Sequence, residues 1–141
     1  MAAAGFSAAL VALACAACTS VAVDARTFAG TRWHVAAING HPTPTSDDRF
    51  HMEFTGAGFT GRFGCNSAQG SYRIAGNRFQ PGMTVFTQAA CYVDAPAAIQ
   101  PMTYEKWAFE VVRRPMRIRW INGRTLTLSN AAGSIALERI R

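Results

Sequence analysis

Lysine is almost absent from this chain: of 14 basic residues 13 are arginine, and Lys106 stands alone. Histidine is scarce too, with His34, His41 and His51 the only three. No cysteine or histidine pair in the downstream chain has the close spacing of a zinc site, which argues against a metal centre. No glycine-rich phosphate loop, dinucleotide fingerprint or Ser-His-Asp arrangement occurs, so the common nucleotide-dependent and hydrolytic enzymes have no foothold. Asp47 and Asp48 lie side by side in a polar loop, and Glu105 and Glu110 are five apart, so neither pair reads as acid and base. No RNA- or DNA-binding motif appears, which speaks against nucleic acid as a partner. No second long apolar run follows the N-terminus. On these grounds no catalytic, cofactor or metal residue is expected.

The N-terminus lacks charge before Asp24. "MAAAGFSAALVALACAACTSVAVDA" is an apolar run followed by small residues, the pattern of a secretory signal over residues 1–25, leaving residues 26–141 as one domain. Two endings are open. Cys18, after Ala16-Ala17 and before Thr19-Ser20, resembles a lipobox cysteine that is acylated after cleavage, although Cys15 stands where leucine is usual. Alternatively, Val23 and Ala25 flank an A-x-A-like cut after Ala25. The C-x-x-C formed by Cys15 and Cys18 has no fold around it to tune a thiol and is set aside as a redox motif.

Export decides how the remaining cysteines are read. Of four, Cys65 and Cys91 survive into the mature domain, and an even pair in an oxidising compartment most simply forms a disulfide. A catalytic Cys65 would need a base and an electropositive setting, and none of the histidines sits in a cysteine-enzyme signature.

What the sequence does contain is strand after strand. Phe50, Met52 and Phe54 alternate with His51 and Glu53. Met116, Ile118 and Trp120 alternate with Arg117 and Arg119, and Ile135 and Leu137 close the chain on one face. Asn39-Gly40 and Asn122-Gly123 are tight-turn pairs. Only residues 94–112 break this rhythm, predicting one helix over about 102–112 with Met102, Trp107 and Val111 inward. Trp33, Trp107 and Trp120 read as core. The sum is a mainly β chain: a small antiparallel β-barrel or strongly curled sheet plus one α-helix. The net charge of +6 is densest at Arg113, Arg114, Arg117, Arg119 and Arg124, a solvated face or one suited to an anionic membrane surface or polyanion, with Arg117 and Arg119 as its candidate centre.

In order along the chain, "GTRWHVAAINGHP", "GRFGCNSAQGSY", "TQAAC", Glu105 and "INGRTLTLSNAAGSIALERI" resemble the META domain of the HslJ-like family. The motif residues are Gly64, Cys65, Asn66, Gly70, Tyr72, Thr87 and Cys91. The resemblance implies a small antiparallel barrel with a helix, no established enzymatic activity and no cofactor. It also implies a Gram-negative envelope setting, as an outer-membrane lipoprotein facing the periplasm or as a soluble periplasmic protein. An accessory role linked to heat shock or drug resistance would fit, with another envelope protein or the membrane surface as partner. Two other functions stay open: a barrel that holds a small apolar or anionic ligand, and an enzyme or enzyme inhibitor.

Overall fold

The computed structural model describes residues 27–91 and 99–141. Its strands are β1 (Thr31–Ile38), β2 (His41–Pro42), β3 (Phe50–Phe54), β4 (Gly58–Phe63), β5 (Ser67–Ala75), β6 (Arg78–Phe86), β7 (Met116–Trp120), β8 (Thr125–Asn130) and β9 (Gly133–Arg139). One helix, α1 (Pro101–Val112), lies between β6 and β7. All pairings are antiparallel, in the order β2-β1-β3-β4-β5-β6-β7-β8-β9, and β9 also pairs with β1. Because β2 has two residues and merely extends the β1 hairpin, the closed structure is an eight-stranded antiparallel barrel with one helix. Closure removes the free edges that an open sheet would expose.

Period-two alternation builds the wall as expected. Phe50, Met52, Phe54, Met116, Ile118, Ile135 and Leu137 all point inward and are buried, while Arg117 and Arg119 point out. Together with Trp33, Phe63, Phe79, Leu126 and Leu128, these side chains fill the interior. Asn39 (φ 50°) and Gly40 (φ 78°) both take the left-handed conformation that the β1–β2 turn requires. Asn122-Gly123 does not repeat it. Neither residue has positive φ, and the Asn122 side chain instead accepts the amides of Arg124 (2.8 Å) and Thr125 (2.9 Å). An Asx-type loop has replaced the two-residue turn because the side chain supplies the closing bonds itself.

The barrel has two unlike ends. At one, Phe28 plugs the interior against Phe54 (ring centroids 4.8 Å) and Phe79 (6.0 Å), and the chain joins the fold here. At the other, α1 lies across the opening. It begins with Pro101 at its first turn, where the missing N–H has no intrahelical partner to lose. Its buried face carries Tyr104, Glu105, Ala108, Phe109, Val111 and Val112. The expected inward face was only partly right: Val111 is buried, Trp107 is half-buried against His41, and Met102 is 38% exposed. Trp120 is likewise half-buried, whereas Trp33 is fully enclosed. Among the described residues no helix is long and apolar enough to cross a membrane.

Candidate functional site

The chain leaves β4 at Gly64, whose φ of +139° disfavours any side chain. A Cβ there would lie 2.5 Å from the Pro101 carbonyl oxygen, so glycine is what lets the rim touch the start of α1. The next residue, Cys65, is bridged to Cys91 with a Cα–Cα distance of 6.0 Å, within the normal range for a disulfide.

Asn66 then turns inward, only 3% exposed, and meets Glu105 on α1, 8% exposed. The Asn66 backbone amide donates to Glu105 Oε2 (2.6 Å) and its side-chain amide to Oε1 (2.9 Å). The second amide hydrogen goes to the Ala89 carbonyl (2.8 Å). Asn66 Oδ1 accepts from the Ala89 amide (2.7 Å) and the Thr87 hydroxyl (3.0 Å), while Thr87 Oγ1 accepts the Ser67 amide (3.0 Å). Every hydrogen-bonding position of the Asn66 side chain is therefore used. A buried carboxylate without a salt-bridge partner among the described residues is tolerable because both oxygens receive N–H donors. The arrangement ties three segments to one asparagine: the β4–β5 rim, the strand after β6, and α1.

The structure brings Gly64, Cys65, Asn66, Thr87 and Cys91 together here and leaves Gly70 and Tyr72 elsewhere. At Gly70 the β5–β6 register shifts, and a Cβ would fall 2.6 Å from the Met83 carbonyl oxygen. Tyr72 stacks on Phe79 (5.1 Å, 7° between planes) near the Phe28 end and donates its hydroxyl to the Thr55 carbonyl (2.8 Å). Burial pushes its phenol pKa up. Arg117 and Arg119 sit on the outer wall, Arg117 directly opposite Arg78. Cys18 and the cut after Ala25 lie outside the described residues. Glu105 carries more of the site than residue spacing indicated: the family resemblance includes it, but nothing in the spacing shows that its carboxylate meets Asn66.

Beside the Asn66–Glu105 pair the rim opens into a cleft of about 390 Å³ lined by Phe86, Thr87, Met102, Phe109 and Arg113. The Arg113 guanidinium lies over the Phe86 ring at 4.6 Å and pairs with Glu110 at 2.8 Å. A ligand inside the barrel would need an internal cavity, and among the described residues the interior is filled by side chains.

A second cleft of about 370 Å³ contains His34, His51, Asp47 and Asp48. His34 and His51 face each other across β1 and β3. Each turns Nδ1 toward a carbonyl oxygen, Phe50 O at 3.1 Å and Asp48 O at 2.6 Å. Asp47 is committed to Arg49, which it binds through both carboxylate oxygens at 2.5–2.9 Å, and that hydrogen-bonded pairing holds its pKa below the ordinary value. Among the described residues no three His, Cys, Asp or Glu side chains are grouped to hold a metal ion.

The META domain family matches residues 26–139 of this chain. One NMR structure superposes with a TM-score of 0.68 at 16% identity, covering 82% of this chain and 94% of its own. Another, of a protein from Burkholderia xenovorans, gives 0.61 at 16% identity, covering 82% and 86%. At that identity the likeness is one of fold. No curated protein matches the chain.

Proposed function

Because this chain belongs to the META domain family, we propose that it is an exported accessory domain of the cell envelope that works by binding another envelope component. The family is one of unknown function and not a known enzyme family, which supports a binding role over catalysis. The observation that carries the reading is the Cys65–Cys91 bridge at the rim. Persistent structural disulfides belong to oxidising compartments, and the uncharged apolar N-terminus offers the route to one. A lipid anchor on Cys18 in the outer membrane, facing the periplasm, belongs to this reading, with a soluble form cut after Ala25 as its variant. A part in the response to heat or drugs is included in the proposal, with no local feature behind it.

The working surface in this reading is the helix-capped rim, where Met102, Phe86 and Phe109 lie beside Arg113. Phenylalanine, methionine and arginine are among the residues enriched at protein–protein interfaces. The same cleft favours a second reading, capture of a small apolar or anionic ligand, since its volume falls in the range of ligand sites.

The test is fractionation of cells expressing the full chain, with thiols trapped by alkylation before intact-mass measurement and crosslinking. The expected product is an envelope-associated protein with Cys65 and Cys91 unalkylated and, if anchored, an acylated Cys18. Cytosolic protein with both thiols alkylated would overturn the proposal.

A further inference from the structure

Charge is unevenly distributed along the barrel axis. At the α1 end Glu105 and Glu110 stand among Arg62, Lys106, Arg113 and Arg114, while on the wall Asp48 and Glu53 are held by Arg32 at 3.7 and 3.2 Å. At the opposite end, β7, the β7–β8 loop and the close of β9 bring together Arg119, Arg124 and Arg139, all exposed. Their placement is fixed: the Arg139 amide donates to the Arg124 carbonyl (2.8 Å), and Arg124 Nη2 donates to the Arg139 carbonyl (3.1 Å). Glu138, opposite Thr125, is the carboxylate beside them among the described residues. Higher on the wall Arg78 and Arg117 are direct cross-strand partners, a like-charge pair that favours a bound anion over isolation.

Two apolar groups sit within this basic end. Trp120 is half-buried against Trp33 at 5.9 Å, and Ile121 at the base of the β7–β8 loop is 53% exposed. An amphipathic aromatic, an exposed aliphatic and flanking arginines suit the boundary between lipid headgroups and acyl chains. The chain also joins the fold at this end, through Phe28 packed on Trp33 (6.1 Å) and Phe54. The segment before it contains the long uncharged apolar run of the sequence.

We infer that this end of the barrel docks on an anionic phospholipid surface, with Arg119, Arg124 and Arg139 on headgroup phosphates and Ile121 at the acyl boundary. The inference deepens the proposed envelope location and rests on it in one respect. An N-terminal segment held at a membrane keeps this end at high effective concentration next to the bilayer. The barrel then stands with α1 and the rim cleft pointing away from the lipid, toward a partner.

Co-sedimentation of the full chain with two vesicle types tests this, one of phosphatidylcholine alone and one with a third phosphatidylglycerol. The combined Arg119→Gln, Arg124→Gln and Arg139→Gln variant is expected to lose about a hundredfold of the phosphatidylglycerol-dependent binding, roughly fivefold per arginine. Ile121→Asn is expected to lose several-fold. The matched Arg62→Gln, Lys106→Gln and Arg114→Gln variant at the α1 end is expected to keep its binding. Circular dichroism on each variant establishes that the barrel is folded. Attachment through the apolar N-terminus appears equally on both vesicles and resists salt, so failure of the envelope reading and failure of this face are scored separately. Equal losses from the two triple variants would reduce the attraction to net charge and overturn the assignment. So would polyphosphate binding as tight as vesicle binding together with an Ile121→Asn variant that costs nothing.

Discussion

Asn66 and Glu105 lie 39 positions apart and meet through two hydrogen bonds of 2.6 and 2.9 Å, one from the asparagine backbone and one from its side chain. A helix residue thereby reads both the conformation and the identity of a rim residue. Replacing either partner leaves the other buried with its hydrogen-bonding capacity unspent.

Asn66→Ala is therefore expected to destabilise the domain by about 3 kcal/mol, the range for leaving a buried charged group short of donors. Glu105→Gln keeps the shape and one amide contact and should cost less, about 1–2 kcal/mol. Urea titration of both variants and of the double mutant gives the coupling directly. Additive losses would show that the two residues act independently.

The Cys65–Cys91 bridge spans 26 positions, and opening it frees that loop in the unfolded chain. Reduction, or the paired substitution to serine, is expected to remove about 3 kcal/mol, measured as the change in urea midpoint with and without reductant. Unchanged stability would mean that the Asn66 network alone fixes the rim.

Glycine positions differ sharply. Gly64→Ala is expected to cost about 2–3 kcal/mol, because the residue is both left-handed and 2.5 Å from a backbone oxygen. Gly123→Ala meets nothing within 4 Å and has ordinary φ, so its thermal midpoint should stay near that of wild type.

The Asp47–Arg49 pair gives a signed pH effect. A carboxyl pKa lowered on folding contributes stability above its unfolded value, 3.8, and loses it as pH falls through the lower folded value. Asp47→Asn should therefore flatten the acid limb of the stability curve below about pH 4 and change its slope little near pH 7. An unaltered acid limb in the variant would assign that slope to other carboxylates.

Much of the wall was legible from residue order alone. Alternation at Phe50-Met52-Phe54 and at Met116-Ile118-Trp120 gives both the strands and their inward faces, because period two is a local property. Pro101 marks the helix start for the same reason. The face of α1 was less legible: Met102, expected inward, is exposed, and Glu105 is buried because the barrel rim offers it a set of donors that hydrophobicity does not record. The loop at Asn122-Gly123 was misjudged because the pair has two ways to close a hairpin and its side chain chose the second. The pairing of β1 with β9 and the meeting of Asn66 with Glu105 depend on contacts distant in sequence, which no window of residues contains.

The pairing of Trp33 with Arg139 and of Ile38 with Ile135 joins the first long strand to the last. A chain delivered N-terminus first, from a ribosome or through a pore, holds β1 with one side unsatisfied until its final residues emerge. Completion of the fold is thus a single late event, and the chain stays threadable until then. Losing the last strand would leave β1 and β8 as bare edges, turning a sealed barrel into a sheet that pairs with its neighbours.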